Sequence, residues 1–137
     1  MGRWLSVDYG TKRTGLAVTD PLRIIASPLE GLQTHDLFDF LTDYLRKEQV
    51  ELLVVGYPTR DDGSPTSNTP HVEAFVRRFK KLFPAIPVAL QDEWNTSNDA
   101  MRSMVSSGTK KKNRRNKLNV DVMSATLILQ SYMESKE

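Results

Sequence analysis

Cysteine is absent from the 137 residues of this chain, so it can form neither a disulfide nor a thiolate metal site. Histidine is scarce, because His35 and His71 are the only two, and both fall near predicted helix starts. No apolar run approaches the ~18 residues that a membrane-spanning helix needs, and the opening residues MGRWLSVDYG lack the apolar core of a signal peptide. These absences favour a cytoplasmic protein without a membrane partner, and they leave carboxylates as the candidate metal ligands.

Positive charge is concentrated in one segment. The net charge is only +2, but the run KKKNRRNK holds six of the nineteen lysine and arginine residues. Such a cluster is typical of a local anion-binding patch, and the alternative interpretation is a solvated loop. This basic cluster consists of Lys110, Lys111, Lys112, Arg114, Arg115 and Lys117.

The hydrophobic pattern predicts a mixed α/β fold. Hydrophobic residues make up 39% of the chain and charged residues 26%, which suits one globular domain over residues 1–137. Apolar runs predict strands over residues 4–8, 15–19, 24–27, 52–58 and 88–90, and helical spacing predicts helices over 37–45, 72–82, 97–108 and 120–133. Three strands joined by short turns, followed by alternating helices and strands, predict a mixed five-stranded sheet with flanking helices.

Two predicted strands end in acidic residues. Asp8 ends the first strand, and Gly10 after it permits a tight turn. The last strand runs into Asp92 and Glu93, and only one of these can join Asp8 over the sheet, because adjacent strand residues face opposite sides. Open α/β sheets bind their ligands at the carboxyl ends of the strands, which is where these acids are predicted to lie. The structural alternatives are a hairpin cap for Asp8 and solvated helix-entry residues for Asp92 and Glu93.

A third acid lies near the start of the last predicted helix. From Asp121, the positions i+3, i+4, i+7 and i+8 are Ser124, Ala125, Ile128 and Leu129, so this acid shares a stripe with small and apolar residues. An ionised carboxylate on a buried stripe is costly unless something pairs with it. The alternative is a favourable interaction with the helix dipole. If the acids converge, they form the oxygen-lined site that Mg²⁺ or Mn²⁺ prefers, and two such ions promote phosphodiester cleavage.

Four segments in this order, VDYGTKRTGLAVTD, LLVVGYPTRDDGS, QDEWNTS and KLNVDVMSATLILQSY, resemble the YqgF/RuvX family over nearly the whole chain. The family is described as Holliday-junction-resolvase-like and as nucleases of pre-16S ribosomal RNA. The resemblance implies a ribonuclease H-like fold. It also implies that the catalytic and metal-binding acids are Asp8, Glu93 and Asp121, with Asp8 bridging two Mg²⁺ or Mn²⁺ ions. Residues 56–63 would flank the substrate groove.

One position departs from the family. Its acidic motif usually continues with Arg-Leu-Ser-Thr, whereas Trp94 follows Glu93 here, which removes one candidate phosphate contact. Contacts to nucleic acid are then expected from the basic cluster, which precedes the helix of Asp121, and from Lys12 and Arg13 in the first hairpin. The chain contains nothing that resembles a base-reading helix, so we expect recognition of shape and backbone.

Three classes of function fit these observations. The leading hypothesis is a metal-dependent nuclease that hydrolyses phosphodiester bonds in 5′-end maturation of pre-16S rRNA during ribosome biogenesis, with branched DNA such as a Holliday junction as the alternative substrate. The second is a catalytically weak nucleic-acid-binding protein. The third follows from residues 8–11, which also resemble the phosphate loop of sugar kinases and actin-like ATPases, but those need two lobes. Both a monomer and a homodimer fit, and a dimer would cover exposed-looking residues such as Trp4 and Phe40.

Overall fold

Five strands form one mixed sheet at the centre of the protein. The computed structural model describes residues 2–59, 62, 64–92 and 117–136, with side chains of the last helix from Val120 onward. The strands are β1 (Arg3–Tyr9), β2 (Arg13–Thr19), β3 (Ala26–Gln33), β4 (Val50–Tyr57) and β5 (Val88–Asp92). Their order across the sheet is β3-β2-β1-β4-β5. The β1–β2 and β2–β3 pairs are antiparallel, and the β1–β4 and β4–β5 pairs are parallel.

Helices cover both faces of this sheet. A 3-10 turn (Thr34–Asp36) leads into α1 (Leu37–Lys47), and the later helices are α2 (Thr69–Leu82) and α3 (Lys117–Ser135). The apolar sides of α1 and α2 close the larger core on one face, which we call the α1/α2 face. Because β4 is covered on both faces, its amino-acid sequence is a nearly continuous apolar run. The larger core includes Leu5, Val7, Leu16, Leu37, Leu41, Leu53, Val55, Val72 and Phe79.

The opposite face, which we call the α3 face, is covered by the last helix. Side chains alternate along β1, so Leu5 and Val7 enter the larger core while Trp4 and Ser6 contact α3. The Ser6 hydroxyl donates to the carbonyl oxygen of Ala125 at 2.7 Å, and the Trp4 ring meets Tyr132 edge-on with centroids 5.3 Å apart. The helix is thereby held along the length of β1.

The N-terminal part of α3 lies against a glycine of β2. A Cβ atom on Gly15 would overlap the backbone carbonyl of Asp121 and would lie 2.7 Å from the nitrogen of Val122. Glycine within a strand often marks such a close approach of another backbone. Because Gly15 is the register partner of Asp8 on β1, this contact brings the start of the helix beside the end of the central strand.

The third strand differs from its prediction. Residues 24–27 were expected to form it, with Pro28 as its end, but β3 begins at Ala26 and continues to Gln33, and Pro28 pairs with Ala17. The strand lies at the edge of the sheet, where a residue without a backbone N–H is tolerated. The last helix also begins earlier than residue 120, at Lys117. The helix predicted over residues 97–108 lies outside the described residues.

The expected exposure of Trp4 and Phe40 is wrong. Trp4 packs on Tyr132, and Phe40 stacks on Tyr44 with ring centroids 5.9 Å apart, so both rings are partly buried. Among the described residues, the exposed large apolar side chains are Leu22, Ile24, Ile25, Leu82 and Leu90. None of the helices in the described segments is long and apolar enough to span a membrane.

Substituting Gly15 with alanine should destabilise the protein, because the new methyl group would force α3 away from the sheet. We expect the free energy of unfolding to fall by about 3 kcal/mol, the upper part of the range for overpacked sites. Urea denaturation followed by circular dichroism measures this change. Ser27→Ala, at an exposed position of β3, should change stability by less than about 0.5 kcal/mol. Equal stability of the two variants would contradict the close helix–sheet contact.

Candidate active site

Asp8 lies at the carboxyl end of β1 on the α3 face. Trp4 and Ser6 of the same strand contact α3, and Tyr9 instead packs on Phe75 of α2, so the alternation of β1 places Asp8 toward α3. Asp8 is only partly buried. The carboxylate therefore lies at the edge of the sheet where open α/β folds place their ligands.

Asp121 lies in the first turns of α3, directly beside this position. Its backbone rests on Gly15, and Gly15 pairs with Asp8 across the β1–β2 ladder. Residues opposed in an antiparallel ladder have Cα atoms about 4.5–5.5 Å apart. The structure thus brings two of the three predicted catalytic acids to one corner of the α3 face.

A cation from β2 is paired with this second acid. The Arg13 Nε atom donates to Oδ2 of Asp121 at 3.2 Å, and the two side chains are 33% and 20% exposed. Arg13 and Gly15 lie on the same face of β2, because residues two positions apart in a strand face the same side of the sheet. Arg13, predicted to contact nucleic acid, therefore contacts a predicted metal ligand.

One turn further along α3, a polar atom is buried without a described partner. Ser124 is 1% exposed, and within the described segments its hydroxyl makes no hydrogen bond. A buried hydroxyl left in this state costs about 1–3 kcal/mol. The spacing of three residues places Ser124 on the helix stripe that carries Asp121, so a buried hydroxyl without a described partner lies one turn from this acid.

The acids at the end of β5 do not both belong to this corner. In the β4–β5 register, Tyr57 pairs with Asp92 and Val55 with Leu90, and Tyr57 and Val55 are on the α1/α2 face. Asp92 therefore points away from α3, and its Oδ1 accepts the Thr59 hydroxyl at 2.8 Å. Glu93, the predicted third acid, lies outside the described residues, as does Trp94.

The turn that follows Asp8 is held by side chains from two other segments. The Thr34 hydroxyl donates to the carbonyl oxygen of Gly10 at 2.6 Å and lies 2.9 Å from the Thr14 hydroxyl. Asn68, at the start of α2, donates its side-chain amide to the Tyr9 carbonyl oxygen at 2.7 Å. The tight turn predicted at Gly10 is confirmed, since a Cβ there would lie 2.5 Å from the carbonyl oxygen of Arg13.

These bracing residues were not identified from the sequence. Thr34 lies just before α1, but its hydroxyl bonds to the turn, and α1 has no side-chain cap bond. The sequence did contain a signal at Gly15, because an isolated glycine inside a strand indicates that the backbone of another segment approaches closely. The pairing of Arg13 with Asp121, 108 residues away, left no local signal.

The predicted nucleic-acid contacts are only partly described. Lys12 is exposed in the turn between β1 and β2. In the basic cluster, Lys117 is the first residue of α3, although its side chain is not described. The remaining members lie outside the described residues: Lys110, Lys111, Lys112, Arg114 and Arg115.

The donor chemistry of the corner fits a hard divalent cation. Asp8 and Asp121 offer carboxylate oxygens, the ligand type that Mg²⁺ and Mn²⁺ prefer. The described residues alone contain no group of three or more acids or histidines close enough to hold an ion. The described part of the site thus supplies two carboxylates and a paired arginine, which can bind a cation or a phosphate group.

The architecture first defines a class of protein. The mixed sheet with β1 at its centre and helices on both faces is the ribonuclease H-like fold. It superposes on T. thermophilus RuvC, solved in complex with a Holliday junction substrate, with a TM-score of 0.55. That match covers 97% of this chain and 96% of RuvC at 15% sequence identity, so it supports the fold alone.

Sequence comparison then places the chain within this class. The family model described as "RuvX: Holliday junction resolvase" matches residues 2–135. A protein of Bacteroides fragilis is 47% identical over 136 residues, covering 99% of both chains. Another from Christiangramia forsetii is 49% identical over 133 residues, covering 97% of this chain and 98% of the relative. Both are named "Putative pre-16S rRNA nuclease". The chain belongs to the RuvX family.

Replacing Thr34 with valine should loosen the turn beside Asp8. The change keeps the shape of the side chain but removes the bonds to Gly10 and Thr14, so we expect a loss of about 1–2 kcal/mol in unfolding free energy. Urea denaturation provides the measurement. The matched control is Thr42→Val, whose exposed hydroxyl only bonds back to Phe38 within α1. If both variants lose the same stability, the turn does not depend on Thr34.

Proposed function

We propose that this protein is a metal-dependent nuclease that hydrolyses phosphodiester bonds, with the 5′ end of pre-16S rRNA as its substrate. The observation that carries this proposal is the meeting of Asp8 and Asp121 across Gly15 at the open corner of the α3 face. Membership of the RuvX family and the names of relatives at 47% and 49% identity support the same chemistry. Such a substrate places the activity in the cytoplasm, in ribosome biogenesis, and residues 1–137 act as one nuclease domain.

Asp8, Glu93 and Asp121 would hold one or two Mg²⁺ or Mn²⁺ ions. Glu93 is the third acid in this proposal because the family resemblance assigns it, whereas its neighbour Asp92 lies on the α1/α2 face. When bound, the ions supply an activated water and a stabilised leaving oxygen. The buried Ser124 hydroxyl supports the site, since it can bond to a water molecule beside the acids.

The remaining residues of the chain bind and orient the substrate. Arg13 and Lys12 lie at the turn beside Asp8, where their charges can contact phosphate groups. The basic cluster precedes α3 in the sequence, and α3 carries Asp121. Thr34 and Asn68 hold the Gly10 turn in place. This positioning matters because a displacement of about 1 Å at a catalytic group can cost ~100-fold in rate.

Branched DNA is the second candidate substrate. The family description names a Holliday junction resolvase, and the same acids would cleave either nucleic acid by the same chemistry. Binding to phosphates and shape, without base readout, also suits both substrates. A monomer would be sufficient for RNA processing, whereas a resolvase that cuts two strands of a junction would act as a homodimer.

Removing the proposed metal ligands should abolish cleavage. We expect Asp8→Asn, Glu93→Gln and Asp121→Asn each to lower the rate at least ~100-fold with Mn²⁺, because each change removes a carboxylate charge that holds an ion. The measurement is cleavage of a labelled RNA spanning the 5′ end of 16S rRNA and, in parallel, of a four-way DNA junction. Gel analysis of the products separates the two substrates.

Asp92→Asn is the matched control for this experiment, because it removes the neighbouring charge on the opposite face. It should retain activity within about threefold of the unmodified protein. Cleavage of the junction but not of the RNA would replace the proposed substrate with branched DNA. If neither substrate is cut, or if the Asp8 and Asp121 variants cut as well as the unmodified protein, the proposed nuclease is wrong.

The basic cluster should determine the salt dependence of binding. Changing Lys110, Lys111 and Lys112 to glutamine should flatten the slope of log affinity against log salt by about 2 to 3 on a duplex-rich DNA junction, since each phosphate contact contributes about 0.9. Fluorescence anisotropy in EDTA measures binding without cleavage. The control changes three exposed cations of α2 to glutamine, namely Arg77, Lys80 and Lys81. An equal flattening in both variants would indicate only a net-charge effect.

A further inference from the structure

Arg13 pairs with an acid that the proposed site would use to hold a metal ion. Its Nε atom lies 3.2 Å from Oδ2 of Asp121, a distance typical of a charge-assisted hydrogen bond. The side chain starts at the first residue of β2, on the same face as Gly15. Arg13 is therefore held beside the acidic corner by the strand itself.

The guanidinium of Arg13 and a divalent cation would bind to the same group, the carboxylate of Asp121. Both are attracted by its negative charge and both bind its oxygens directly, so the two compete for Asp121. The guanidinium cannot lose its charge by deprotonation. Any cation that coordinates Oδ2 must therefore displace Arg13 or share the carboxylate with it.

The position of Arg13 allows such a displacement. The side chain is 33% exposed, and the residues before it, Thr11 and Lys12, form an exposed turn. A partly exposed ion pair contributes little stability, so its exchange for another partner costs little. The Asp121 carboxylate, by contrast, is 20% exposed and is fixed on the helix that rests against Gly15. The acid remains in place while the arginine can move.

We propose that Arg13 is an internal counter-ion of the metal site: it neutralises Asp121 in the metal-free protein and is displaced when a divalent cation binds. This inference rests on the proposed function, since it takes Asp121 as a metal ligand. The displaced guanidinium stays at the same corner of the sheet and becomes available to a substrate phosphate. Metal binding and nucleic-acid binding are then linked through one residue, and the linkage is reciprocal.

Calorimetric titration with Mn²⁺, in the absence of nucleic acid, tests this role. Arg13→Gln should bind Mn²⁺ about three- to fivefold more tightly than the unmodified protein, because one competing cation is removed and a partly exposed ion pair contributes up to about 1 kcal/mol. Arg13→Lys keeps the charge but loses the planar guanidinium, so its dissociation constant should lie between the two. Thermal unfolding gives a second readout: Mn²⁺ at a fixed concentration should raise the melting temperature more in Arg13→Gln than in the unmodified protein.

Lys12→Gln is the matched control, because it removes the same charge from the adjacent exposed residue. Its Mn²⁺ dissociation constant should stay within about twofold of the unmodified value. In an Asp121→Asn background, the Arg13→Gln change should no longer tighten binding, since the two residues act through one contact.

The outcomes separate this inference from the proposed function. If the unmodified protein binds Mn²⁺ and Asp121→Asn weakens the binding, but Arg13→Gln binds equally or less tightly, the counter-ion role is wrong while the metal site stands. Equal tightening by Lys12→Gln would also overturn it, because long-range charge would then explain the effect. If no variant binds Mn²⁺, the metal site fails and this inference fails with it.

Discussion

The contact between α3 and Gly15 is the constraint on which the rest of the site depends. Because Gly15 has no side chain, the backbone of the helix at Asp121 can lie directly on β2. The Ser6 bond to the Ala125 carbonyl and the packing of Trp4 on Tyr132 then fix the helix along β1. This packing makes Asp8 and Asp121 neighbours, although they are 113 positions apart in the sequence. No attraction between the two acids is needed to bring them together.

The two faces of the sheet have different roles. The α1/α2 face is closed by large apolar side chains such as Leu5, Leu53 and Phe79, and it supplies most of the hydrophobic stabilisation. The α3 face combines a small apolar cluster with polar groups, among them Ser6, Ser124 and the Arg13–Asp121 pair. Within the described segments, the buried hydroxyl that has no hydrogen-bond partner, that of Ser124, lies on the face that forms the candidate site, where binding a cation or a phosphate can offset its cost.

Loops at the carboxyl edge of the sheet are braced by hydroxyl and amide side chains. Thr34 and Asn68 hold the turn after Asp8, and the Thr69 hydroxyl donates to the Pro58 carbonyl oxygen at 2.7 Å. These bonds tie the segment after β4 and the start of α2 to the end of β1. A preorganised edge of this kind limits the movement of charged groups that must meet at defined distances.

The sequence by itself determined most of the described strands and helices and indicated Asp8 and Asp121 as candidate acids, because periodicity and position within an element are local properties. It failed at β3, where Pro28 gave the local signal of an end, although the edge of a sheet tolerates a proline. Only the tertiary structure decided which distant groups meet: Arg13 with Asp121, Thr34 with Gly10, and α3 with Gly15. The reason is physical, since these contacts arise from tertiary packing: an isolated glycine in a strand indicates a close approach at Gly15, but nothing local in the chain identifies the partner.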